Sequence, residues 1–165
     1  MAVDLANGDP IKDNYCDPIN YEVSKPLAAD KTVKGLYSGG SLAAEAGMLI
    51  AEALNLGGLI KEEGYILKTG GYEVVDLGDD VYTQGKPHPM IDPEVRIKKI
   101  LECAKDPQTG VILLDCMLGY GCHPDRAGAL APAIREAQKI AKADGRELYF
   151  VASVCGTRQD PQDYD

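Results

Sequence analysis

Strands and helices alternate along this chain, joined by short glycine-bearing turns. That alternation predicts an α/β domain, a three-layer doubly wound parallel sheet with helices on both faces and right-handed crossovers. Three observations carry the expectation. The stretch "GVILLDCML", residues 110–118, is apolar along most of its length, as a strand buried on both faces of a parallel sheet must be. Segments with apolar residues at helical spacing lie before and after it. The 165 residues, 45% hydrophobic and 26% charged, suffice for one domain with a real core and leave no room for a second full one.

Taken in order, residues 1–32 carry Asp4, Asp9, Asp13 and Asp17 with Pro10, Pro18 and Pro26 and little apolar periodicity. They are expected to form an extended arm or linker, with the domain proper spanning 33–165. Lys34 to Ser38 reads as the first strand. Ser41 to Leu56 follows as a helix with small residues on one face, stopped by Gly57-Gly58. Glu73 to Leu77 is the second strand. Asp92-Pro93 supplies a cap and a first-turn proline for the helix "PEVRIKKILECAK", whose apolar set is Val95, Ile97, Ile100, Leu101 and Ala104. The apolar strand comes next, then a helix from about Pro124 to Ala143, and "LYFVASV" as the fourth strand. The sequence stops at "GTRQDPQDYD", where another helix is expected, so a last helix and strand are expected to be missing.

A formal charge of -9 and a pI near 4.7 argue against nucleic acid and anionic lipid as partners, both being negative themselves. No run approaches the roughly 18 apolar residues of a membrane helix, and "MAVDLANGDPIKDN" has no basic region followed by an apolar core, so a cytoplasmic protein is expected. The five cysteines, Cys16, Cys103, Cys116, Cys122 and Cys155, contain no C-x-x-C pair and read as reduced thiols.

In open parallel sheets ligands sit beyond the carboxyl ends of the strands, and three glycine-bearing turns fall there: "SGGS", "GYGCHPD" and "CGT". A helix start offers unpaired amides and a partial positive charge, and glycine lets an anion approach the backbone. Ser38, Gly39, Gly40 and Ser41 are therefore candidate anion-binding residues, as are Gly119, Tyr120, Gly121, Gly156 and Thr157. A tight strand-to-helix turn explains the same glycines without a ligand. No lysine follows either helix-starting turn, which excludes a P-loop. Glycine spacing fails the dinucleotide pattern as well, leaving a nicotinamide reading only in Asp76, where a ribose-binding acid would stand. Cys122, His123 and Asp125 lie together at a helix start, where a nucleophile or a general acid and base can be built. Helix capping by Asp125 and burial of Cys122 are the structural alternative. His88 sits in the proline-broken loop "GKPHPMIDP", able to fold over a ligand. With His123 it has no metal-ligand spacing, and no metal is expected.

The stretches "GLYSGGSLAAEA", "VVDLGDD", "GKPHPMIDPEVRIKKI", "VILLDCMLGYGCHPDRAGAL" and "FVASVCGTRQDPQDYD" together resemble the FdrA-type acyl-CoA synthetase family, relatives of succinyl-CoA synthetase. The resemblance covers nearly everything from residue 33 onward. It implies a flavodoxin-like ligase-CoA domain in which helix starts face a phosphorylated histidine, with Ser38–Ser41 and Gly119–Asp125 as two such starts. It further implies an anionic acyl, phosphoryl or CoA ligand, with CoA or a phosphorylated compound as cofactor. The expected partners are an N-terminal CoA-binding-type domain or separate subunits, within an oligomeric ligase. One departure stands out: "CGTRQDPQDYD" has no histidine where the synthetase carries its phosphohistidine loop, and neither His88 nor His123 falls there. Some members of the family are linked to carbamoyl transfer onto oxamate, so a carbamoyltransferase subunit is the alternative. A noncatalytic docking domain of the same fold is the third reading.

Overall fold

The computed structural model describes residues 27–162. Its elements run β1 (Thr32–Tyr37), α1 (Gly40–Leu54), β2 (Tyr65–Thr69), β3 (Tyr72–Asp76), α2 (Asp80–Thr83), α3 (Glu94–Lys105), β4 (Thr109–Met117), α4 (Arg126–Ala143) and β5 (Tyr149–Cys155). The sheet order is β2-β3-β1-β4-β5. β1 pairs in parallel with β3 and β4, and β4 with β5. The doubly wound α/β class expected from the alternation is what the chain adopts. Most of the expected arm, residues 1–26, lies outside the described residues.

One element corrects the purely parallel expectation. β2 runs antiparallel to β3, with Thr69 opposite Tyr72. Gly70 and Gly71 close this hairpin with φ of 56° and 86°. A two-residue turn with positive φ at both positions follows the right-handed strand twist, and glycine adopts it without steric cost. The signal was present in "YILKTGGYEVV", two β-prone runs around Gly-Gly.

The layers follow from side-chain spacing. On α1 the small residues Ala43, Gly47 and Ala51 recur every four positions and are all buried. A Cβ on Gly47 would stand 2.9 Å from Ile66 Cγ2, so the helix lies close upon β2. With Tyr37, Leu67 and Val74, Ala43 and Ala51 form one apolar cluster. The opposite face is larger. Ile100 and Ala104 of α3 and Leu130, Ala133, Ala137 and Ala141 of α4 pack on Leu36, Val75, Ile112 and Leu114. Truncating a fully buried member such as Ile100 to alanine costs about 2–5 kcal/mol.

The helices thus divide between faces in a way that matters for function. The chain leaves β1 toward the α1 face and leaves β4 toward the α3/α4 face. Adjacent strands that diverge in this manner open a crevice at their carboxyl ends, here between β1 and β4.

Candidate functional site

At the β1/β4 crevice the structure places a buried polar network. Asp115, near the end of β4, is 1% exposed. Its carboxylate accepts from the Ser38 amide at 3.1 Å to each oxygen and from Ser38 Oγ at 2.8 Å. Arg96 of α3, fully buried, pairs with the same carboxylate through Nη2 and donates from Nη1 to the Asp115 carbonyl at 2.6 Å. A buried charge with its partner and hydrogen bonds in place is stable, whereas removing one member strands the other. Ser38 is therefore spent on the protein itself, and its amide faces Asp115. Sequence reasoning missed this pair. The signal was an acid inside an apolar strand and an arginine four residues before Ile100 and eight before Ala104, on the buried stripe.

The rest of the first turn is open. Gly39 occupies the cap position of α1 with no side-chain cap, and the first turn of the helix holds no acidic residue. A cavity of about 630 Å³ adjoins this helix start, lined by Gly40, Ser41, Lys61, Ile66, Asp76 and Asp79 among others. Asp76 closes one side, since a Cβ on Gly40 would stand 3.0 Å from Asp76 Oδ2. Its Oδ1 accepts from the Gly78 amide at 2.8 Å. Burial raises the Asp76 carboxyl above the ordinary 3.8; the Gly78 amide and His88 oppose the rise, and Asp79 and Asp115 add to it.

The other two glycine turns are filled from within. The Gly119 amide donates to Gln162 Oε1 at 2.9 Å, and the Gly119 carbonyl accepts from Gln162 Nε2 at 2.7 Å. Gly119 has φ 137°, a conformation that favours glycine at this turn. The Thr157 amide and hydroxyl both donate to Asp160 Oδ2, at 2.6 and 3.2 Å. Gly156 packs against Leu118. Gly121 and Tyr120 are exposed, Tyr120 at 90%. None of residues 119–125 lines the α1 cavity.

Cys122, His123 and Asp125 lie in the turn that leads into α4, where the Cys122 amide donates to the Gly119 carbonyl at 3.1 Å. Asp125 Oδ1 accepts from the Gly128 amide at 2.8 Å and caps the helix. His123 Nδ1 accepts from the Asp125 amide at 3.0 Å, which leaves the proton of a neutral ring on Nε2. The backbone of His123 donates to the Met90 carbonyl at 2.8 Å. The loop around His88 accordingly crosses the crevice as a strap. Met90 Cε lies 3.7 Å from where a Gly39 Cβ would be, while His88 Nδ1 accepts from the Met90 amide at 3.1 Å. Among the cysteines, burial pushes the Cys103 thiol up to about 11 and raises Cys116 as well, so neither is a ready thiolate. Among the described residues no three His, Cys, Asp or Glu side chains converge as a metal site, and no helix is long and apolar enough to cross a membrane.

Over residues 36–165 the sequence is matched by a family model described as CoA-ligase. The chain belongs to the CoA-ligase family. Its resemblance to succinyl-CoA synthetase-like ligase domains thereby holds at family level. The CoA-ligase chain is also 37% identical over 155 residues to the uncharacterized protein YahF of Escherichia coli (strain K12). That match covers 85% of this chain and 30% of the relative, so the CoA-ligase chain spans less than a third of the length of that protein.

Proposed function

We propose that this acyl-CoA synthetase-like domain binds the anionic end of an acyl, phosphoryl or CoA group at the start of α1, as one part of a larger FdrA-type ligase or transferase. The observation that carries the reading is the α1 start itself: a 15-residue helix with no side-chain cap opening beside a cavity of about 630 Å³. Uncapped amides at the positive end of a helix stabilise a bound anion, and the absence of a side chain at Gly40 lets it approach. Lys61 adds a cation to the lining, and Leu59 and Ile60 add apolar surface, so the residues suit a phosphate or carboxylate carrying a nonpolar extension such as an acyl or pantetheine chain. CoA, when bound, supplies the thiol that becomes the thioester.

We assign any proton or acyl transfer at the second turn to His123 and Cys122, both partly exposed, with the Asp125 amide holding the His123 ring. Titration calorimetry with phosphate, CoA and carbamoyl phosphate tests the anion site. Heat from at least one of them, lost in Gly40→Val, is expected; no heat from any of the three overturns it. A preference for carbamoyl phosphate favours the oxamate-type carbamoyltransferase subunit within the same reading.

The noncatalytic docking reading draws on a different observation: the Gly119 and Thr157 amides are occupied by Gln162 and Asp160. If the assembled complex keeps full activity with Cys122, His123 and Asp125 all replaced and Gly40→Val in place, the docking role is correct and the anion-binding role fails.

A further inference from the structure

The two faces of the sheet are unequally covered. α3 and α4 both lie on one face, whereas on the other, among the described residues, α1 lies alone and packs on β1, β2 and β3. β4 and β5 are left bare there. Strands stand about 4.8 Å apart and a helix is about 10 Å across, so two uncovered strands make a strip one helix wide. Leu113 and Val151, opposite each other in the β4–β5 register, form its floor, and Tyr37, Ala46, Leu49 and Ile50 form its wall. Together they bound a trough of about 220 Å³. Leu49 is 60% exposed and Val151 54%, apolar surface left in water unless another element covers it. From Tyr149 to Cys155, β5 has no charged residue and no proline, the usual guards of an open edge strand.

The charges beside the trough have one sign. α1 carries Glu45 and Glu52 and no basic residue. Seven residues apart, they lie two turns from each other on the side of the helix that also bears Leu49. Glu45 is near the wall itself: burial raises the Tyr37 hydroxyl above the ordinary 10, and Asp115 and Glu45 add to the rise. A second copy seated here by its own α1 would set the same two acids against these, on chains that each carry a charge of -9. A helix with basic flanks meets them as counter-charges instead.

We propose that the trough between α1 and β5 is the docking site for an amphipathic helix of a partner protein. Its apolar stripe seats on Leu49, Leu113 and Val151, and its flank carries lysine or arginine toward Glu45 and Glu52. The inference rests on the reading of this domain as one part of a larger assembly and not on the anion site, since the trough shares no lining residue with the cavity at the α1 start.

Two synthetic helical peptides of about 18 residues test it, both with leucine at helical spacing, one flanked by lysine and the other by glutamate. Each is titrated into the full chain and followed by methyl NMR. The lysine peptide is expected to shift the methyl signals of Leu49, Leu113 and Val151, and the glutamate peptide to bind about tenfold or more weakly. Leu49→Lys and Val151→Lys, both at exposed positions, are each expected to weaken the lysine peptide about tenfold or more. Replacing Glu45 and Glu52 together by glutamine is expected to weaken it a few-fold and to flatten its salt dependence. Should Val151→Lys fail to fold, Leu49→Lys decides. No binding by either peptide, equal binding by both, or shifts confined to other methyls overturns the proposal. So does a wild type that sediments as a dimer and becomes a monomer in Val151→Lys, which gives the trough to a second copy. Trough methyls already shielded from a soluble paramagnetic agent in the free monomer overturn it as well, because the chain then covers its own face. Calorimetry with phosphate, CoA and carbamoyl phosphate separates the two sites: heat without peptide binding refutes the docking site alone, and peptide binding without heat refutes the anion site alone.

Discussion

The turn after β1 and the turn after β4 are made from the same ingredients, a strand end, paired glycines and a helix start, yet they end in opposite states. After β1 the helix is uncapped and a cavity meets it. After β4 the helix is capped by Asp125, and the Gly119 amide is held by Gln162 from 43 residues away. The difference teaches that a glycine turn offers amides but does not decide who takes them. That decision belongs to side chains remote in sequence, since a buried or partly buried amide is satisfied by whichever acceptor folding delivers.

The strongest way to break this contrast is to dismantle the network between the two turns. Asp115→Ala leaves Arg96 as an unpaired buried charge and frees the Ser38 amide and hydroxyl; about 3–5 kcal/mol of stability is expected to be lost, read from denaturant unfolding. A loss below about 1 kcal/mol would mean that Arg96 finds another acceptor. Next in size is Gly40→Val, which places a side chain against Asp76 Oδ2 at the open helix start. It is expected to weaken anion binding at α1 about tenfold, measured by calorimetry, with the fold retained.

Gln162→Ala sharpens the comparison from the other side. Removing its hydrogen bonds to Gly119 is expected to cost about 1 kcal/mol, while binding at α1 stays as it was. If α1 binding changes in step, the two turns are not independent. The smallest effect concerns Asp76. Because its native pKa is raised, the folded chain holds this proton to higher pH than the unfolded chain. The stability linked to it is full below the ordinary value of 3.8 and is lost as pH rises through the native value. Asp76→Asn is therefore expected to match wild type in Tm near pH 3 and to exceed it slightly at pH 7. Anion affinity at α1 is expected to be a few-fold higher in the variant at pH 7, the gap closing as pH falls. A gap that widens on acidification would remove Asp76 from the lining of the site.

Much of this molecule is legible residue by residue. The run from Gly110 to Leu118 announces a buried strand, and Ala43, Gly47 and Ala51 announce a helix lying close on a sheet. Asp92 announces the start of α3, where its carboxylate accepts from the Glu94 amide at 2.9 Å. The hairpin β2–β3 is legible too, in Gly70-Gly71, although YILKT is short and only its third residue is buried. The candidate site was legible only as a set of turns. Ser38 looked like Gly40, and Gly119 looked like both.

The sequence by itself determined the local geometry of this protein, because strand and helix periodicity, caps and glycine turns are properties of residues a few positions apart. It also determined the excess of acid over base and the family to which the chain belongs. Only the tertiary structure decided which amides stay free, that Asp115 meets Ser38 across 77 residues, and that Arg126 is buried with no acid paired to it among the described residues. Those outcomes depend on long-range pairing in a low-dielectric interior, where a single carboxylate placed one strand away changes the fate of a turn.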